Sequence, residues 1–360
     1  MAIIPKITVT QVDNVPKGSP GIAGKVAIVA EFSKTLSAPV SVSSYAEALS
    51  AAVTGGTVGV DSPVGDKCLD PLFRGGANDV IIVDISPASS GSPTGTEIVT
   101  AATNLEENYD ILLIPYVLTD ANLTSIKSYL NDRFSSSHPV GLIAPVTRSA
   151  AADYVTTAAI FSAGGTFGLI SQQFTVNNTT LSVAQSAAYY CGLIAERRVD
   201  VSFTMKTLEG VEAVTSELTF AQSSDLGYKL VEAGYPVAKC LNRAEKNFVI
   251  VNSRLPHTVT ATDGTSVHLD LYMERTINYI INLFNLEDFL GEKNSAITLD
   301  AIEQRLARVK HECIDTLGLV EDIRYSVEKV NRDCVRANIE EIVFDGVVTE
   351  IDANVTYDVI

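Results

Sequence analysis

The 360-residue sequence has no tryptophan, three methionines and four histidines. Its five cysteines, Cys68, Cys191, Cys240, Cys313 and Cys334, are odd in number, widely spread and without a Cys-x-x-Cys pair. They read as buried thiols of a protein made in reducing cytosol. The histidines, His138, His257, His268 and His311, are equally scattered, and few ligands means few metal sites. Positive charge is scarce: 26 Lys and Arg stand against 43 Asp and Glu, a net charge of −17. A chain this acidic is not expected to displace counterions from nucleic acid or to dock on anionic lipid. No run approaches the ~18 apolar residues of a membrane span. Met1 to Val15 has no basic region leading into an apolar core, so no secretion signal is expected.

Recognisable catalytic motifs are also missing. "GSPGIAGK" (Gly18 to Lys25) lacks the GxxxxGK[ST] spacing, and Val26 stands where a magnesium-binding hydroxyl would be. Its glycines precede a strand and so aim no helix N-terminus at a phosphate; a flexible hinge accounts for them. His311-Glu312 begins an HExxH pattern, but Asp315 removes the second ligand and leaves a solvated helix face. There is no GxSxG elbow. The carboxylate pairs Glu321-Asp322 and Glu340-Glu341 are sequence neighbours that point apart, as ordinary surface charge does. Sequons at Asn122, Asn177, Asn178 and Asn354 read as composition, since no secretion signal is expected. The expectation is a protein that is not an enzyme and carries no cofactor and no metal.

What is present is apolar and patterned. Forty-six per cent of the residues are hydrophobic and 19 % charged, against a usual ~25 %, so another chain is expected to cover part of the surface. Near-continuous apolar runs at "GKVAIVAEF" (24–32), 80–85, "ILLIPY" (111–116) and "VGLIAPV" (140–146) read as strands covered on both faces. Helical spacing separates them, at 44–52 and 123–134, with a further helix from Ser182 to Glu196 leading into Arg197-Arg198. This rhythm predicts an α/β fold, a mostly parallel sheet flanked by helices. After about residue 245 strands and turns follow, then helices at 273–290 and 300–317, in a C-terminal α+β domain. In the second helix Ile302, Leu306, Val309, Cys313 and Leu317 form one stripe, Asp300 and Glu303 a capping-box-like start, and Gly318 a stop.

Both termini read as strands outside a domain. Ile7 and Val9 alternate with threonines ahead of a hinge containing Pro16, Gly18, Pro20 and Gly21. From Glu350 onward Ile351, Ala353, Val355, Tyr357 and Val359 face one way and polar residues the other. Strand exchange between subunits needs such arms. The expected division is an arm and hinge (1–21), an outer α/β domain (22–245), an inner C-terminal domain (246–338) and a strand arm (339–360).

With the Pro-Gly arm ahead of "AGKVAIVAEFS", the run "DPLFRGGANDVIIVDI", "ILLIPY", "YMERTINYI" and the "YDVI" end, the chain resembles the sheath proteins of contractile phage tails and of related bacteriocins and injection particles. The resemblance follows the order of these segments over nearly the whole length. It implies a structural subunit that stacks as hexameric rings around an inner tube and contracts to drive the tube through a target membrane. It implies as partners further copies of the chain, the tube protein, and baseplate and tail terminator proteins, with no nucleic acid and no membrane insertion. The place implied is a virion tail or extracellular particle assembled in the producing cell's cytoplasm. The helix bearing Arg305, Arg308 and His311 would then face the tube, unless the two arginines pair with Glu312 and Asp315 along the same helix. The chain is shorter than many sheaths, so extra outer domains are expected to be missing. Another self-assembling coat or filament protein, or an α/β enzyme with an unrecognised site, are the alternatives.

Overall fold

A computed structural model describes residues 24–50, 58–85, 92–105, 109–215, 218–242, 244–260, 266–284, 289, 296–331 and 334–344. The proposed arm and hinge residues Ile7, Val9, Pro16, Gly18, Pro20, Gly21, Ile351, Ala353, Val355, Tyr357 and Val359 lie outside the described residues.

The first part of the chain alternates strands and helices: β1 (Val26–Ala30), β2 (Val40–Val42), α1 (Tyr45–Ser50), α2 (Val64–Arg74), β3 (Val80–Asp84), α3 (Gly95–Thr103), β4 (Ile111–Leu113), α4 (Asp120–Ser135), β5 (Gly141–Pro145), α5 (Ala151–Ala159) and β6 (Thr166–Ile170). They build one six-stranded sheet in the order β2-β3-β1-β4-β5-β6, parallel except for the edge strand β2. Its central strands are apolar on both faces because both faces are covered.

Next come β7 (Gln173–Val176), β8 (Thr179–Thr180), α6 (Val183–Glu196), β9 (Val211–Thr215), α7 (Leu226–Glu232), β10 (Ala238–Asn242) and β11 (Asn247–Ile250). α2 packs on α6 and α3 on α4, and these pairs cover the sheet. The α2–α6 approach is close enough to require glycine: a Cβ on Gly192 would lie 2.2 Å from the Leu72 carbonyl oxygen, and one on Gly75 2.3 Å from that of Tyr189. That contact gives the Gly75-Gly76 pair a packing role beyond ending α2.

The last part holds the hairpin β12 (Arg254–Thr260) and β13 (Ser266–Asp270), α8 (Leu271–Leu283), α9 (Ala296–His311), a π-helical turn (Glu312–Thr316), β14 (Asp322–Asn331) and β15 (Cys334–Val343). α8 starts two residues before the expected Met273, because Asp270 caps it by accepting the Tyr272 N–H at 3.2 Å. α9 starts at Ala296, so Asp300 stands a full turn inside and is not the cap that the capping-box pattern implied. The expected stripe is real: Ile302, Leu306, Val309 and Cys313 are buried, while Leu317 is half-buried. The chain leaves at Gly318, whose φ of +61° suits glycine. Cys68, Cys191 and Cys313 are buried as expected; Cys240 is only half-buried, on the short hairpin β10–β11.

Two hydrophobic clusters result. The larger surrounds the six-stranded sheet and extends to Phe248, Ile250, Leu255 and Leu271. The smaller holds Ile280, Phe284, the α9 stripe, Leu319, Val320 and Ile323, together with Val199 from the loop after α6.

Candidate assembly interface

In a doubly wound sheet the usual ligand crevice opens at the carboxyl ends of the strands, where strand order reverses. Here that point lies between β1 and β4. It is filled by the protein's own groups. The Glu31 N–H donates to the Tyr116 hydroxyl at 2.8 Å, and Phe32 is buried beside it. The Gly65 N–H at the start of α2 donates to the Glu31 carbonyl at 3.1 Å. Asp66 accepts from the Ser33 N–H at 3.3 Å and from the Ser33 hydroxyl, and Asp84 accepts the N–H groups of Phe32 and Leu36 at 3.3 and 2.9 Å. Burial raises the Asp66 pKa and pushes that of Tyr116 up to about 12. These carboxylates fasten a loop. Among the described residues no cluster of three or more His, Cys, Asp or Glu could hold a metal, and no helix is long and apolar enough to cross a membrane.

The basic corner after α6 joins the two hydrophobic clusters. Arg275, buried on α8, donates to the carbonyl oxygens of Arg197 (3.0 Å) and Arg198 (3.1 Å). Burial lowers its pKa to about 10, against the opposing attraction of Asp110. Arg198 holds Asp200 through two bonds, at 3.0 and 3.1 Å, and donates to the Leu317 carbonyl at 2.8 Å. Arg197 lies over the Phe203 ring, 4.8 Å from its centroid. The sequence marks these residues only as a basic corner and an Arg-Thr segment; their acceptors lie about eighty to a hundred and twenty positions away.

The hairpin β14–β15 is a two-stranded sheet, so its outer edges have no strand partner among the described residues. Tyr325, Val327, Val335, Ala337, Ile339 and Ile342 pack on the smaller cluster. A bulge between Arg324 and Tyr325 shifts register by one, which lets Ile339 and Ile342 share that face despite their odd spacing. Charge pairs occupy other positions: Arg324 with Glu341 at 2.5 Å and Arg336 with Glu328 at 3.0 Å.

Of the expected tube-facing residues, Arg308 is exposed, with its Nε 3.4 Å from the Gln304 carbonyl oxygen. His311 Nδ1 lies 2.5 Å from Asp315 Oδ2, one turn along. The Arg305 guanidinium is half-buried, 5.9 Å from the centre of the Phe289 ring. Lys310, between them, bonds Asp322 at 2.7 Å. Asp315 is therefore taken by the histidine and not by an arginine.

No protein-family model matches the chain, and no curated protein sequence matches it. Solved structures do. A chain of the anti-feeding prophage baseplate, 6-fold symmetrised, aligns over 100 % of both chains with a TM-score of 0.69 at 14 % identity. A chain of the anti-feeding prophage helical sheath in its contracted state aligns over 99 % of this chain and 100 % of its own, with a TM-score of 0.68 at 15 % identity. A sheath tail protein from Desulfitobacterium hafniense aligns over 91 % of this chain and 93 % of its own, with a TM-score of 0.64 at 11 % identity. The chain therefore has the fold of tail sheath proteins, as the resemblance in its sequence implied.

Proposed function

We propose that this chain is the structural subunit of a contractile tail sheath, of a phage or of a related injection particle. The observation that carries the proposal is the fold match, along all but a few residues of both chains, to a helical sheath in its contracted state. The edges of the β14–β15 hairpin, which have no strand partner among the described residues, support the assembly mode: they can accept strands from neighbouring copies. The donors are the segments around Ile7 and Val9 and from Ile351 to Val359, tethered through the Pro16–Gly21 hinge and through the end of β15. Such contacts are heterologous and build an open helical array, here stacked hexameric rings. The domain reading follows: 1–21 as arm and hinge, 22–245 outward, 246–338 toward the tube, 339–360 as strand arm.

Contraction in this reading draws on packing energy stored at assembly. The filled crevice between β1 and β4 supports that, since the place where this sheet type holds nucleotides is occupied by Phe32, Tyr116 and Asp66. In this reading the tube contact lies on α9 at Arg305, Arg308 and His311, with the exposed Arg308 giving the weak, salt-sensitive attraction suited to a tube that must be released. Baseplate and terminator proteins complete the partner set, in a virion tail or an extracellular particle. Electron microscopy of the purified protein tests the proposal. Sheath-like helical tubes are expected. Thin fibres or closed shells would indicate a different coat, and dispersed globules would overturn self-assembly.

A further inference from the structure

At the amino end of the parallel strands, α4 and α8 leave a cavity of about 330 Å³ between them. Leu130, Phe134, Val140 and Ile277 give it apolar walls, with Phe134 half-exposed at the rim. Its polar lining includes Lys127, Glu274 and Asn278, each more than nine-tenths buried, with Asn131, Ser135 and His257 around them. The Glu274 carboxylate is engaged: it accepts the Gly165 N–H at 3.1 Å and lies 2.5 Å from His257 Nδ1. Lys127 donates to the carbonyls of Ala163 (3.1 Å) and Gly164 (2.7 Å), which uses two of its three N–H bonds. The Asn278 amide lines the same cavity and is buried as well.

A projection of matching chemistry stands at the other end of the sheet. In the turn Gly59–Ser62, the Ser62 N–H donates to the Gly59 carbonyl at 3.2 Å and the Gly59 N–H donates to the Ser62 hydroxyl at 2.9 Å. Val60 at its tip is 90 % exposed, and Asp61 beside it is exposed as well. The turn leads directly into α2, whose Gly65 is bonded to Glu31 just past β1, so it sits at the carboxyl ends of the strands. The cavity adjoins the starts of β5 and β6, through Val140 and Gly165.

We propose that the Val60 turn of one copy seats in the α4–α8 cavity of a second copy. Val60 lies against Phe134 and Ile277, and the Asp61 carboxylate accepts from the Lys127 ammonium and the Asn278 amide. Glu274 is held by His257 and the Gly165 N–H, and the Lys127 ammonium, which also feels the Glu274 charge, keeps its third N–H for the incoming acid. Projection and socket occupy opposite ends of one sheet and different strands across it. The contact is therefore head-to-tail and can pass from copy to copy, as a helical array requires. This inference rests on the self-assembly reading.

The test uses full-length Val60→Cys and Asn131→Cys proteins, each with Cys240 and Cys334 replaced by serine, purified apart, mixed and mildly oxidised. Asn131 lines the socket. A disulfide-linked dimer containing one of each is expected, and none from either protein alone. Separately, Val60→Ser should raise the concentration needed for polymerisation roughly tenfold with no change in Tm. Normal polymer from the mixture with no cross-link, and an unchanged threshold for Val60→Ser, would overturn this contact alone. Failure of the unmodified chain to polymerise would overturn the self-assembly reading and this contact with it.

Discussion

Removing the Arg275 guanidinium leaves the carbonyls of Arg197 and Arg198 without their donor and Asp110 without its nearest buried counter-charge. Arg275→Met should therefore cost about 3–5 kcal/mol, read as a large drop in Tm; a loss within error of zero would show that water replaces the bonds. Arg275→Lys is not conservative here, because one ammonium cannot reproduce the planar fork that reaches two successive carbonyls. Asp66 makes a pH-dependent case. Burial raises its pKa, so the folded chain holds that proton more tightly than the unfolded chain does. Its contribution to stability is complete below the ordinary aspartate value of about 3.9 and is lost as pH rises through the raised folded value. Asp66→Asn cannot ionise. The Tm of this variant should gain on the wild type as pH rises from about 4 through the raised Asp66 value, and a difference that does not change with pH would count against the assignment.

At the scale of elements, deleting residues 350–360 should leave a soluble, folded protein that no longer polymerises, and Val355→Asp should act almost as strongly. Either variant forming tubes at normal yield would remove the C-terminal strand from the assembly. For α9, Arg305→Glu with Arg308→Glu should let sheath form without retaining tube, and raised salt should do the same to the wild type. Co-purification of the double variant with tube at the wild-type level would place the contact elsewhere. The sheet strands were legible from sequence because burial on both faces leaves runs such as Val26–Ala30 and Val80–Val83 with no polar interruption. The α9 stripe was legible through its helical period. Its start was not, since Asp300 with Glu303 imitates a capping box one turn inside and outweighed Ser295, the residue ahead of Ala296 in the sequence. β14 escaped notice because its alternation runs only from Ile323 to Val327, and β15 because the extra residue at the bulge puts Ile342 three positions after Ile339. The loop fasteners Asp66 and Asp84 and the joint around Arg198 rest on partners distant in the chain, and a linear pattern does not reveal such pairs.

For the whole molecule, comparison of extended and contracted particles by cryo-microscopy should find the backbone change concentrated at 16–21, with the six-stranded sheet unaltered. An unchanged hinge, with the arm folded on its own subunit, would contradict the arm-exchange scheme. The loop Arg197–Asp200 bears on what happens inside each subunit meanwhile. Val199 is embedded in the smaller cluster, Arg198 grips the carbonyl at the end of the π-helical turn, and Arg275 is anchored on the same loop. A tug on β14–β15 thus reaches the sheet by way of a strut made of α8, which has Leu271 in the larger cluster and Ile280 in the smaller, braced by two guanidinium groups and one valine. Pulled by its hairpin edge, the molecule should yield at that strut well before the sheet shears, so the strut, more than the sheet, sets how much tension a chain of linked copies can transmit.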